Sequence, residues 1–175
     1  MRLFVAVPLP EKVKKKLAEL GKEIEQDGIK LVEPENIHIT LKFIGESSEA
    51  AHIEKKLREI RFNKFACAAK GAGVFPNENY IRVVWAGLES EELNLLAKKV
   101  IGALHGYGKD DRFSAHVTIA RVKQKIDLKS FLEKHKDEDF GSFEISSFDL
   151  MQSELGGDGP KYTTLASFQA EGKDA

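Results

Sequence analysis

Two stretches of the chain place a histidine and a threonine two residues apart: His38 with Thr40 in HITLKFI, and His116 with Thr118 in HVTIARV. In a β-strand alternate side chains share a face, so each pair makes a small polar patch. Ile39 and Leu41, and Val117 and Ile119, then point to the opposite face, where a core can receive them. Imidazole titrates near ~6.5 when unperturbed, so at neutral pH one ring can take a proton while another gives one. Two such rings on opposite sides of a phosphorus atom suit in-line displacement, which needs proton transfer at both the attacking and the leaving oxygen. The threonine hydroxyls can donate to nonbridging phosphate oxygens. A single His-x-Thr in a strand is weak as a signal, since Thr favours strands and His is often only hydrogen-bonded. Recurrence in matched surroundings makes it a strong one.

The elements that position these patches also recur, 78 residues apart. Leu3, Val5, Val7 and Leu9 alternate as in a strand, and Val13, Leu17, Leu20 and Ile24 follow at helical spacing. Ile81, Val83 and Trp85 repeat the alternation, followed by Leu93, Leu96, Val100, Ile101 and Leu104 at helical spacing. After each histidine motif comes a helix-like stretch, near 49–60 and 127–136, and then a strand beginning at Phe65 or Phe143. From about Met151, ELGGDGP reads as a glycine-rich turn and KYTTLASF as a last strand. The expected fold class is α+β: one domain over residues 1–175, made of two pseudo-symmetric lobes by internal duplication. Each lobe is an antiparallel sheet with helices on its outer face, and the two form a central cleft. A twofold relation between the halves would turn the two polar patches towards one another across that cleft.

The bulk numbers narrow the function classes. With 42% hydrophobic residues in 175, the chain can build its own core. A formal net charge of -1 argues against coating nucleic acid nonspecifically, which needs a large cationic footprint, but allows a substrate held at one phosphate. The 31% of charged residues points towards a heat-adapted protein. No apolar run approaches the ~20 residues that span a bilayer, and the first residues carry no cleavage pattern, so a cytoplasmic protein without membrane attachment is expected. Cys67 is the only cysteine and reads as a small buried hydrophobe. Catalytic zinc generally takes three protein ligands, and neither motif supplies a carboxylate at i+2 or i+4. The other histidines, His52, His105 and His135, fall in or beside helix-like segments. No metal and no other cofactor is therefore expected.

With RLFVAV, HITLKFIGE, HVTIAR and SELGGDGPKYTTLASF in view, nearly the whole chain resembles the 2H phosphoesterases, in particular their RNA 2',3'-cyclic phosphodiesterase branch, also called the 2'-5' RNA ligase family. The resemblance implies a bilobal fold and hydrolysis of RNA 2',3'-cyclic phosphate ends to 2'-phosphate ends. It implies that His38 is the proton donor to the leaving 3' oxygen and His116 the acceptor that activates water, an order the residues alone do not give. Reverse joining of RNA ends through a 2'-5' bond is implied as a secondary activity. The expected partners are RNAs with 2',3'-cyclic phosphate ends, tRNA fragments among them, with no obligate protein partner.

Supporting residues carry two readings each. Lys42 shares parity with His38 and Thr40, which aims it at the cleft and a phosphate; a solvated lysine is the other reading. Arg121 has the opposite parity to His116 and reaches a phosphate only if the strand ends or bulges there; the resemblance favours a phosphate-binding role. Phe43, Tyr80, Phe113 and Tyr162 are candidates for stacking on RNA bases or for core packing, whereas the alternation around Trp85 fits core. Lys12, Lys14, Lys15 and Lys16 read as the solvated face of the first helix. Two rival functions remain open: the same chemistry on small cyclic nucleotides or 2'-5' oligoadenylate, and a non-catalytic RNA-binding module.

Overall fold

A computed structural model describes residues 1–109, 112–157 and 159–172. In chain order the elements are β1 (Arg2–Pro8), α1 (Glu11–Lys22), β2 (Ile29–Leu31), a 3-10 turn (Pro34–Asn36), β3 (His38–Glu46), α2 (Ala50–Arg58), β4 (Phe65–Asn77), β5 (Tyr80–Glu89), α3 (Glu91–Ala103), β6 (His116–Val122), α4 (Lys129–His135), β7 (Asp139–Ile145), β8 (Ser147–Gly156) and β9 (Gly159–Gln169). The strands form two antiparallel sheets, ordered β3-β1-β8-β9 and β2-β6-β5-β4-β7. The fold is α+β, two antiparallel sheets with helices packed on them, as the alternating patterns predict.

The sheets do not follow the two halves of the sequence. β4 leaves the first half to pair with β5 and β7, and β8 leaves the second half to pair with β1. Helices cross over too: α1 follows β1 but packs on β6 and β7 of the other sheet, and α3, which follows β5, packs on β3 of the other sheet as well as on β4 of its own. The strand expected to begin at Phe143 is two strands. β7 begins earlier, at Asp139, and the chain passes to the other sheet at Ser146, where no glycine or proline marks the break. β2 and the 3-10 turn carried no periodic signal because each is three residues long.

Local chemistry accounts for the helices. In α1, Val13, Leu17 and Leu20 make a buried stripe at i, i+4 and i+7, with Lys12, Lys15 and Lys16 exposed. α3 begins where the Ser90 hydroxyl accepts from the Leu93 N–H at 3.2 Å, with Glu91 and Glu92 in the first turn against the positive end of the helix. Buried side chains from both sheets belong to one hydrophobic cluster.

That cluster fixes the register of the motif strands. Ile39, Leu41, Val117 and Ile119 are all buried, the most exposed of them at 3%. A one-residue slip would bring two apolar side chains per strand into water, at roughly 1.5–3 kcal/mol each, and drive the histidines into the core. Both strands also carry a bulge at the same place. Ala6 pairs with Thr40 and Val5 with Lys42, so Leu41 is the extra residue of β3. Trp85 pairs with Thr118 and Val84 with Ala120, so Ile119 is the extra residue of β6. Beyond each bulge the faces exchange.

Candidate active site

β3 and β6 come from different sheets and lie against one another, and between the lobes opens a cleft of about 810 Å³. His38, Thr40, His116 and Thr118 all line it. The two imidazoles are held alike. His38 Nδ1–H donates to the Asn36 carbonyl at 2.6 Å, and His116 Nδ1–H donates to the Ser114 carbonyl at 2.8 Å. A carbonyl only accepts, so Nδ1 must carry the hydrogen, and Nε2 of each ring is left for proton exchange.

The surroundings of the two Nε2 atoms differ. His38 Nε2 lies 2.8 Å from Thr40 Oγ1. The neutral ring accepts the threonine hydrogen; the charged ring donates to the oxygen, which turns the hydroxyl hydrogen free to meet an anion. Among the described residues no such bond engages His116 Nε2, so the neutral His116 ring offers an open lone pair. Burial, ahead of the charge of Lys14, pulls the His38 pKa below the usual histidine value, against the pull of the Asn36 hydrogen bond. Burial, ahead of Arg121, does the same to His116, against the Ser114 hydrogen bond. Lys14 thus departs from its expected solvated face: it is half-buried, paired with Glu11 at 3.5 Å, and its charge reaches His38.

Each ring sits in an aromatic wall. Phe4 lies 5.2 Å and Tyr162 5.4 Å from His38, centroid to centroid, while Phe75 lies 5.1 Å and Trp85 6.5 Å from His116. Trp85, expected as core, is therefore half-buried behind a motif histidine. Tyr162 stands edge-on to both Phe4 and His38, and burial raises its phenol pKa against the charges of Arg121 and Arg2. Since Arg121 acts on both Tyr162 and His116, its charge spans the two sides of the cleft.

The β6 bulge meets the condition set for Arg121: by exchanging faces it brings this residue to the cleft beside His116 and Thr118. The β3 bulge changes how Lys42 sits: it lines the cleft, as expected, but is only 5% exposed and its Nζ donates to the Lys109 carbonyl at 3.0 Å. The solvated reading of this lysine is not found. Phe43 takes the cleft-side place and is 63% exposed at its rim.

Of the other aromatic candidates, Phe113 and Tyr162 line the cleft. Tyr80 does not; it lies at the β4–β5 hairpin under the Arg82 guanidinium, 4.6 Å from the ring centroid. Its closeness to a turn in sequence was no guide, because the strands of that hairpin reach the cleft through Phe75 and Val83 rather than through its tip. His52 and His105 are exposed and outside the cleft lining. His135 is buried on α4 between Glu23 at 2.5 Å and Glu138 at 3.0 Å, also outside it. Cys67 is buried and its thiol pushed up to about 11 by that burial, as expected of an inert hydrophobe. Among the described residues no three His, Cys, Asp or Glu side chains come together in a way that could hold a metal ion, and no helix is long and apolar enough to cross a membrane.

Several residues were missed. Phe4 could have been found, because its parity is opposite to that of Leu3, Val5 and Val7, which face the core. Asn36 and Ser114 stand at matching places, each two residues before its histidine, but act through backbone carbonyls that any residue type supplies. Arg2, Lys30, Lys109 and Arg112 also line the cleft, and with Lys42 and Arg121 they outnumber Glu33, the one carboxylate among the described lining residues. In a chain of net charge -1, this segregates positive charge into the cleft.

The comparisons agree with one another. The family model described as LigT like Phosphoesterase matches residues 7–85. The RNA 2',3'-cyclic phosphodiesterase of Archaeoglobus fulgidus is 42% identical over 97% of this chain and 100% of that protein. The protein of the same name from Methanocaldococcus jannaschii is 39% identical over 94% of this chain and 98% of its own length. The crystal structure of TT0787 of Thermus thermophilus superposes with a TM-score of 0.85 at 33% identity, covering 99% of this chain and 100% of that one.

Proposed function

Since the chain belongs to the LigT-like phosphoesterase family of RNA 2',3'-cyclic phosphodiesterases, we propose that it hydrolyses 2',3'-cyclic phosphate ends of RNA to 2'-phosphate ends through His38 and His116, without a metal ion. Water attacks phosphorus while His116 Nε2 takes its proton. The bond from phosphorus to the 3' oxygen breaks, and protonated His38 delivers its Nε2 proton to that oxygen. The products are a 2'-phosphate and a free 3' hydroxyl. Thr40, Thr118 and Arg121 bind the nonbridging oxygens and stabilise the charge that gathers there.

One observation carries the reading: two imidazoles in one cleft, each with its Nδ1–H fixed on the carbonyl two residues before it, so that both Nε2 atoms are the working nitrogens. The open lone pair of His116 suits the base, and the hydroxyl contact of His38 suits a ring that holds its proton until an anion arrives. The phosphate charge favours both imidazolium forms and offsets the burial that disfavours them in the free protein. The basic lining favours RNA ends over a small cyclic nucleotide, because one cyclic phosphate uses only a fraction of that charge. The same in-line displacement of the 3' oxygen, with a ribose 5' hydroxyl attacking in place of water, gives a 2'-5' bond; water outcompetes it when both are present. RNA fragments that end in cyclic phosphates, tRNA pieces among them, are the expected partners.

The test is incubation of a cyclic-phosphate-ended oligonucleotide in excess chelator, followed by identification of the phosphate position, with a 2',3'-cyclic mononucleotide run beside it. A 2'-phosphate product formed faster from the oligonucleotide is expected. A 3'-phosphate product or a need for added metal overturns the mechanism, and equal rates on both substrates overturn the RNA assignment.

A further inference from the structure

Lys42 is a buried cation in the wall of the cleft that has no step in the two-histidine chemistry above. Burying an ammonium is costly unless it finds partners, so its retention at 5% exposure asks for a reason. The strand itself does not need it. Beyond the matching bulge of β6 the equivalent place is taken by Ala120, at 0% exposure, so the bulge can be filled by a small apolar side chain.

What Lys42 touches is the other half of the molecule. Its Nζ donates to the Lys109 carbonyl at 3.0 Å, and Lys109 belongs to the segment between α3 and β6, which leads to the carbonyl that holds His116. A second contact lies beside it. Gly108, at φ +71°, is pressed so closely on β3 that a Cβ there would stand 2.6 Å from the Phe43 carbonyl oxygen and 3.0 Å from that of Ile44. His38 and His116 stand on different sheets, so their separation is set by contacts between the lobes rather than by either sheet's hydrogen bonds.

We propose that Lys42 is a positioning residue: by holding the Lys109 carbonyl it clamps the approach to the His116 strand against the His38 strand, and so sets the spacing of the two imidazoles across the cleft. The proposal rests on the two-histidine reading above. An error of about 1 Å in near-attack geometry costs on the order of 100-fold in rate, so a loosened clamp shows in turnover before it shows in binding.

The test uses Lys42→Met, which keeps the stem and removes the ammonium, and Gly108→Ala, which disturbs the same contact without changing charge. Both are checked for cooperative melting, and Gly108→Ala decides alone if Lys42→Met does not fold. The expected result is a fall in kcat of about 10–100-fold on RNA and on a cyclic mononucleotide alike. Affinity for a 2'-phosphate-ended oligonucleotide should hold to within about twofold, and the NMR ring signals of both His38 and His116 should move in each variant, in Gly108→Ala without any change of charge. Affinity for that oligonucleotide falling in step with kcat in Lys42→Met alone would mean the ammonium binds phosphate, and unchanged kcat would mean no clamp; either overturns the proposal. Activity surviving His38→Ala and His116→Ala would instead sink the two-histidine reading, and the ring signals would still report whether the clamp holds.

Discussion

Gly73→Ala tests whether the wall behind His116 holds that ring by shape alone. Gly73 on β4 pairs directly with Trp85 on β5, and the indole lies across its backbone. A Cβ at position 73 would stand 2.3 Å from Cζ2 and 2.4 Å from Cη2 of Trp85. Carbon atoms settle at about 3.5–4.0 Å, so the indole must retreat by roughly 1 Å. It has no polar tether to resist, because Trp85 Nε1 is buried without a hydrogen-bond partner among the described residues. The displacement passes to Phe75, 5.3 Å from the indole, and to His116, which touches both rings. Overpacking of this kind costs about 1–3 kcal/mol, and at roughly 2–4 °C per kcal/mol for a chain of this length Tm should drop by roughly 2–12 °C. If the shift reaches His116, kcat/KM on a cyclic-phosphate oligonucleotide falls by about 10–100-fold. Trp85→Phe added to Gly73→Ala removes the colliding ring and should recover much of both losses, so the double-mutant cycle should return a coupling of about 0.5–3 kcal/mol. Full kcat/KM in Gly73→Ala, or strict additivity in the cycle, refutes the picture of His116 braced by an indole wedged on a glycine.

Other outcomes follow from the same geometry. His38→Ala and His116→Ala should each lower kcat by several orders of magnitude, and the double variant should lose little beyond the worse single one, because the two rings act as a unit; independent, multiplying losses in single-turnover assays would contradict this. The pH optimum of kcat/KM, which reports the free enzyme, should lie below ~6.5, since burial lowers both histidine pKa values and the active form has one ring charged and one neutral. The kcat profile, which reports the complex, should shift to higher pH because the bound phosphate favours both charged rings; a kcat/KM optimum well above neutrality would be inconsistent with it. Phe43→Ala should weaken RNA binding by about 5–100-fold if a base stacks on this exposed ring, and Tyr80→Ala should leave it unchanged; fluorescence titration with a labelled oligonucleotide distinguishes the two.

Much of the fold was legible because its signals are local. The alternation of Leu3, Val5 and Val7, the stripe of Val13, Leu17 and Leu20, and the paired His-x-Thr motifs each depend on residues close in sequence, and the strands and helices stand where those patterns put them. Assignment of strands to lobes was not legible, because pairing energy comes from cross-strand contacts that no period records. Phe65 and Phe143, read as corresponding positions of two separate sheets, lie on adjacent strands of one: Phe143 pairs with Cys67, and Phe65 with Ile145. The basic lining of the cleft was invisible for the same reason. Arg2, Lys30, Lys109 and Arg112 come from separate places in the chain, and the sequence-wide charge of -1 averages their concentration away.

The bulges decide how much parity alone can tell. Up to Thr40 and Thr118 the period of two holds, and His38, Thr40, His116 and Thr118 all reach the cleft as alternation requires. One residue later each strand gains an extra residue, and alternation then gives the wrong face for Arg121 and does not show that Lys42 is buried. The two strands share one burial pattern through this region, so the exchange is common to both motifs, and the residues placed there make them unlike. On β6 the exchanged face presents Arg121, a fixed positive charge beside His116; on β3 it presents Phe43, an apolar ring at the rim on the His38 side. A pseudo-symmetric pair of patches thereby becomes an asymmetric site, with a fixed cation near one imidazole and an exposed aromatic ring near the other. That asymmetry can bias which ring holds the proton before substrate binds, a bias that a strictly symmetric pair of histidines could not supply by itself.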